Sequence, residues 1–273
     1  MWSVTASTTM AASGNCLLSE GLRRRTILNR GELSGPTISG EISRLIFHPY
    51  DRGIVFLNKG RRYHLSPEIV SVRDHKVSIG PVGMVEHLLA VLLGLKIDCI
   101  LVEVLGRELP IFDGSAREYF RSLTGLGTYE LDQPQRVFPL DEMELTYRGS
   151  RISVIPGSRL EITIIYDPHH PKLPRQNLSF SSITNLVWAR TFAFVQPDDP
   201  RLTNYRFGLG ITREGIRPPP RSPDEPIRHK LLDLIGDLYT LGQPFSGTIL
   251  AYNPNHRLNI GLVRLQHQKG YNR

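Results

Sequence analysis

Apolar and polar positions follow two different periods along this 273-residue chain, and the changes of period mark out its elements. From Thr26 to Ile79, short runs such as Ile42 to Phe47 and Gly53 to Leu57 are separated by Gly, Pro and charged turns, which predicts strands. The period then lengthens. Val85 to Leu95 predicts a helix stopped at Gly94, and Ile97 to Val104 a strand. Asp113-Gly114-Ser115 opens a second helix through about Leu123, with Tyr119, Phe120 and Leu123 on its apolar face. The rest of the chain repeats this order. Strands are expected near Arg136 to Thr146, Arg151 to Ile155 and Leu160 to Tyr166, then a helix from Ser181 to Ala189. An irregular stretch leads to a strong helix from Arg228 to about Leu241 and a strand from Ser246 to Tyr252. Within the irregular stretch, Arg217-Pro218-Pro219-Pro220-Arg221-Ser222-Pro223 is a loop, because prolines withhold the backbone donors of helix or sheet. The pattern predicts two similar α+β domains, 21–127 and 134–273, joined near Gly125 to Pro134. The similarity lies in element order, since the residues show no repeat.

Composition narrows this picture. Hydrophobic residues at 40% and charged residues at 22% exclude a disordered or collagen-like chain. The longest apolar run, Leu88 to Leu95, is far shorter than the roughly 18–20 residues of a membrane span. Two cysteines, Cys16 and Cys99, make no Cys-x-x-Cys pair, which argues against a disulfide framework or a thiolate zinc cluster and fits a reducing compartment. The net charge is +7; residues 1–133 hold 15 basic and 14 acidic groups and residues 134–273 hold 18 and 12, so six of the seven surplus charges fall in the second half. Such a balance suits an anionic small molecule, nucleic acid or an acidic membrane face, and does not choose among them. Residues 1–20 are expected to be a poorly ordered extension. Their Ser/Thr/Ala-rich start and the following Arg23-Arg24-Arg25 are also features of organelle transit peptides.

Candidate chemistry concentrates in Arg228 to Asp237. His229 and Asp233 are four apart on the predicted helix, a spacing that lets an imidazole and a carboxylate share one metal ion, and Asp237 continues their stripe. An isolated His-x-x-x-Asp is most often a solvated polar face. Here Leu231, Leu232, Leu234, Ile235 and Leu238 surround the stripe, so it lies on a helix with most of its flanks buried, which favours the functional reading. In Val85-Glu86-His87-Leu88-Leu89-Ala90, a carboxylate stands beside a histidine at the start of an apolar helix. Alone, Glu86 would be a first-turn acid and His87 a core histidine; beside a metal, Glu86 suits a general base on water. His256 follows a strand in the turn Asn253-Pro254-Asn255 and, by itself, reads as a loop histidine. The adjacent His169 and His170 point in different directions in an extended segment and read as structural.

Together with Leu109-Pro110-Ile111-Phe112-Asp113-Gly114-Ser115-Ala116, Ala189-Arg190-Thr191-Phe192-Ala193-Phe194 and Asn255-His256, these segments resemble, in order, the zinc-dependent UDP-3-O-acyl-N-acetylglucosamine deacetylase family. The resemblance runs from about Arg25 to Leu262. It implies a sandwich of two α+β domains with the metal between them, and hydrolytic release of acetate from a UDP-linked 3-O-acyl-N-acetylglucosamine early in lipid A synthesis. It implies that His87, His229 and Asp233 bind Zn²⁺ and that Glu86 is the general base. It also implies that His256 is the protonated partner of the oxyanion and leaving amine, that Asp237 orients His256, and that Thr191 donates to the oxyanion. Lys230 would meet the substrate phosphate, and Phe192 and Phe194 would line the sugar and nucleotide region.

The chain departs from the family pattern in three places. Met84 stands two before Glu86 where the family has a Thr-rich approach. Cys99 replaces an Asn, and the segment from Phe194 to Ile227 is short and Pro-rich where the family inserts a βαβ unit for the acyl chain. The expected partner is the substrate, without nucleic acid or a membrane span; the sequence leaves the oligomeric state open, with a monomer favoured. The expected compartment is a bacterial cytoplasm, with a plant or algal organelle as the alternative. Two other functions compete: a non-catalytic nucleotide-sugar-binding paralogue, and a zinc amidohydrolase acting on another acylated amino sugar.

Overall fold

A computed structural model describes residues 3–5, 18–199 and 207–271. Two strands come first, β1 (Ser3–Thr5) and β2 (Leu18–Ile27), followed by the first unit: β3 (Gly31–Pro36), β4 (Ile42–His48), β5 (Ile54–Asn58) and β6 (Arg61–His64). A small antiparallel insert, β7 (Val70–Arg73), β8 (Lys76–Ile79) and β9 (Val82–Gly83), leads into α1 (Glu86–Gly94), β10 (Ile100–Leu105) and α2 (Arg117–Gly125). After β11 (Thr128–Arg136) and β12 (Phe138–Pro139), the second unit runs β13 (Met143–Tyr147), β14 (Ser150–Ile155), β15 (Leu160–Tyr166) and β16 (Gln176–Ser179). Its insert is β17 (Phe192–Phe194), β18 (Leu209–Ile211) and β19 (Ile216–Arg217); α3 (Glu225–Leu238), β20 (Phe245–Tyr252) and α4 (His256–Tyr271) complete it.

The two units share one topology. The first sheet is ordered β3-β4-β10-β5-β6 and the core of the second β13-β14-β20-β15-β16, with β1 added beside β13 and β12 beside β20. In each, the last strand enters the middle of the sheet, antiparallel to the second strand and parallel to the third. A parallel neighbour requires a crossover, which α1 makes in one unit and α3 in the other. The mixed α/β reading is thus borne out, and a sandwich of two units is compatible with it.

Burial explains the layering. Along β14, Ile152 and Val154 are buried while Arg151 and Ile155 face outward, so this sheet shows one face to the helices. From Glu86 to Leu92 every residue of α1 is buried, and α3 is buried nearly throughout, because α1 and α3 pack on each other. Gly236 lets them touch: a Cβ there would lie 2.0 Å from the carbonyl oxygen of Glu86.

Several expectations need correction. Residues 181–189 form only the 3-10 turn Ile183–Asn185, whose Ser182 hydroxyl accepts from the Thr184 N–H at 3.3 Å. Serine, threonine and asparagine side chains there compete with helical hydrogen bonding. The turn presses Ile183 onto Gly94, where a Cβ would lie 2.3 Å from that of Ile183. Close packing therefore requires Gly94, while the left-handed residue ending α1 is Lys96, at φ +58°. The stretch read as irregular before α3 contains β17, β18 and β19, and β17 pairs parallel to β18, a crossover arrangement. Within that short segment, residues 200–206 lie outside the described residues. The 16-residue α4 stands where the sequence pattern predicts only a turn at Asn253-Pro254-Asn255.

The Arg23-Arg24-Arg25 run lies in β2, which forms a ribbon with β11 across the junction of the units. Arg23 pairs with Asp132, Arg24 with the buried Asp98 and Arg25 with Glu130. Of the expected N-terminal extension, residues 3–5 and 18–20 are strand, and its remainder lies outside the described residues. Cys99 is buried, and burial pushes its thiol up to about 11. Among the described residues no helix is long and apolar enough to cross a membrane.

Candidate metal centre

The starts of two helices pack against the side of a third. The first turn of α1 supplies Glu86 and His87, and the stripe along α3 supplies His229, Asp233 and Asp237. The first turn of α4 supplies His256 and Asn259. All are buried except His256, which is partly open. Asn255 caps α4 by accepting from the Leu258 N–H at 3.1 Å, which turns His256 from a loop residue into a helix N-terminal one.

His87, His229 and Asp233 bring one ligand atom each within 4.8 Å of one another. Nε2 of His229 and Nε2 of His87 lie 3.3 and 3.7 Å from Asp233 Oδ1. Tetrahedral ligands about 2.0–2.1 Å from a zinc-sized ion would be separated by about 3.4 Å, so the donor set fits such a cation with one position left over. The C=O of Ala189 accepts from His229 Nδ1 at 3.1 Å, which leaves Nε2 as the free lone pair. Burial, and then the neighbouring His229, push His87 down to about 3, so it is neutral as a ligand must be. Burial works against the Asp233 carboxylate, but the charges of His229, His256 and Lys230 outweigh it and hold it far below the usual range.

The groups around this set differ from it in protonation. Burial pushes Glu86 up to about 8, and its Oε2 accepts from the Val77 N–H at 3.3 Å. His256 Nδ1 donates to Asp237 Oδ2 at 2.8 Å, and its Nε2 is 4.0 Å from Asp233 Oδ2. Burial disfavours its charge, but Asp237, Asp233 and Glu86 prevail and raise it to about 10. Asp237 is itself raised, chiefly by burial; Asn259 Nδ2 donates to the same Oδ2 at 2.8 Å, and Oδ1 has no partner among the described residues.

An aromatic file leads away from His229. Phe192 lies 6.4 Å from His229, 6.0 Å from Tyr166 and 5.9 Å from Phe194, whose ring is 5.2 Å from that of His170. Lys230 Nζ sits 5.6 Å above Phe192 and 4.0 Å from Asp233 Oδ2. Thr191 is pinned by its backbone: its N–H donates to Gly114 at 2.7 Å and its C=O accepts from Leu209 at 2.8 Å. Before α1, Met84 adopts φ +64°.

No local sequence pattern marks Asn259, Tyr166, Arg190 or Glu225 as part of this neighbourhood. Arg190 stands in a recognised motif and Glu225 three residues before Arg228, but their pairing spans 35 positions and leaves no local signal.

Comparison with known proteins agrees with this geometry. A profile of the UDP-3-O-acyl N-acetylglycosamine deacetylase family matches residues 24–267. Proteins named UDP-3-O-acyl-N-acetylglucosamine deacetylase are similar along most of the chain. That of Nitratidesulfovibrio vulgaris strain Hildenborough is 33% identical over 258 residues, covering 83% of this chain and 82% of its own. That of Pseudomonas entomophila strain L48 is 32% identical over 281 residues, 89% of each. That of Aquifex aeolicus strain VF5 is 33% identical over 251 residues, 83% and 86%. The chain therefore belongs to the UDP-3-O-acyl N-acetylglycosamine deacetylase family.

Proposed function

We propose that the protein is a Zn²⁺-dependent amide hydrolase that releases acetate from a UDP-linked 3-O-acyl-N-acetylglucosamine, the early step of lipid A synthesis that the family resemblance implies. One observation carries the reading: two imidazoles and a carboxylate, His87, His229 and Asp233, share a buried cluster with a carboxyl, Glu86, and a histidine kept charged by Asp237. When bound, Zn²⁺ supplies Lewis acidity, making water more acidic and an acetamide carbonyl more electrophilic.

The chain's own groups account for the protons. Glu86 takes one from water as the oxygen attacks the acetyl carbon. Thr191 and the protonated His256 face the oxyanion, and their donors are set in place before the charge develops. As the C–N bond breaks, His256 passes the Nε2 proton to the leaving amine, while Asp237 holds Nδ1. Lys230 offers charge to a diphosphate beside the Phe192 ring, and Phe192 and Phe194 offer apolar faces to the sugar and base.

A protein that only bound nucleotide sugars would have no use for Glu86 and His256 together. Zinc-loaded protein is expected to release acetate from the 3-O-acylated UDP-sugar far faster than from the non-acylated analogue, with about one zinc per chain by metal analysis. No release would sink the proposal, and equal rates on both would point to a broader amidohydrolase.

A further inference from the structure

A single peptide plane links the buried carboxylate of Glu225 to His229. The C=O of Ala189 accepts from His229 Nδ1 at 3.1 Å, and the N–H of the same peptide unit, on Arg190, donates to Glu225 Oε1 at 3.0 Å. Glu225 precedes His229 by four residues on α3, so both stand on one face of the helix. A trans peptide points its C=O and N–H in opposite directions within one plane, so a plane laid along α3 meets both residues.

The carboxylate is itself fixed from all sides. Arg190 donates Nε to Oε1 at 2.8 Å and Nη2 to Oε2 at 3.1 Å, and the Arg221 N–H donates to Oε2 at 2.6 Å. Arg190 Nη2 also reaches the C=O of Pro219 at 2.9 Å. Burial alone would raise the Glu225 carboxyl, but these hydrogen bonds outweigh it and hold the group below its usual range.

We propose that Glu225, locked by Arg190, is a positioning residue for the metal ligand His229 and acts on it through the Ala189–Arg190 peptide. The inference rests on the reading of His229 as a ligand. A carboxylate on the N–H polarises the peptide and makes its C=O a stronger acceptor. The stronger bond keeps the proton on Nδ1, orients the ring and raises the basicity of Nε2, as a directly bonded carboxylate does for other metal-bound histidines. A buried ion pair is poor evidence for stability alone, so its function needs another explanation.

The test is Zn²⁺ affinity of the full-length protein, measured against a chelating competitor, together with the visible spectrum of its Co²⁺-substituted form. Glu225→Gln keeps the shape and an acceptor but removes the charge. It is expected to weaken Zn²⁺ binding about ten- to hundred-fold and to shift the Co²⁺ bands. Ile249→Ala, a core truncation in β20, is expected to lower Tm while leaving affinity and spectrum unchanged. Arg190→Lys should act in the same direction as Glu225→Gln, and it serves if the latter does not fold. Wild-type affinity in both Glu225→Gln and Arg190→Lys would overturn the proposal alone. An equal affinity loss in Ile249→Ala would overturn it too, by assigning the effect to general destabilisation. A wild-type protein that takes up no metal would bring down the ligand reading and this proposal with it.

Discussion

The alpha carbon of Gly236 lies so close to the carbonyl oxygen of Glu86 that a methyl group between them would sit 2.0 Å from that oxygen. This approach places the start of α1, with Glu86 and His87, over the α3 stripe of His229, Asp233 and Asp237. Gly236→Ala must push the helices apart. It is expected to cost about 1–3 kcal/mol or more of stability and to lower metal content and turnover together. Thermal unfolding and metal analysis of the variant check both.

Glu86→Gln is expected to reduce kcat by about 10²–10⁴-fold, the usual contribution of general acid–base catalysis, with zinc retained because Glu86 lies outside the ligand set. Activity near wild type, or metal lost in step with activity, would show that Glu86 has another role.

Asp237→Asn should move the alkaline limb of the kcat/KM profile to lower pH. His256 is raised to about 10 chiefly against the cost of its burial, with Asp237 the foremost favourable charge. Removing that charge lowers the pKa of a group that must stay protonated, so activity is lost earlier as pH rises. A limb that stays in place would remove His256 from the role of acid.

Metal removal should destabilise the fold as well as inactivate it, since a ligand bound only by the native state at a hundred times its Kd contributes about 2.7 kcal/mol. Chelation is expected to lower Tm, and added Zn²⁺ to restore it. Asp233→Ala should abolish that response.

The stripe on α3 was legible because helical spacing makes His229, Asp233 and Asp237 neighbours whatever surrounds them. α1 was legible for the same reason. α4 was hidden by Asn253-Pro254-Asn255, which reads as a turn, while Asn255 in fact caps the helix that follows. The helix expected at 181–189 failed because polar side chains there bond the backbone locally, and because the segment must press Ile183 onto Gly94. The shared topology was only half visible: element order lies along the chain, whereas the entry of β10 and β20 into the centre of each sheet is a matter of pairing. Asn259, Arg190 and Glu225 owe their importance to partners far away in sequence, and no local pattern marks them.

The common strand order places α1 and α3 in corresponding slots of their units, so His87 and His229 are contributed by equivalent helices. The candidate metal site therefore draws on corresponding helices of the two units, where a perfectly symmetric pair of units would present identical groups from each side. This chain does not. In the proposed reading, one helix carries the base Glu86 with the ligand His87, and its counterpart carries the ligands His229 and Asp233 with Asp237, the carboxylate bonded to His256. The proposed division of labour between an acid and a base requires that inequality, so the departure of the two halves from each other matters to that chemistry as much as their likeness.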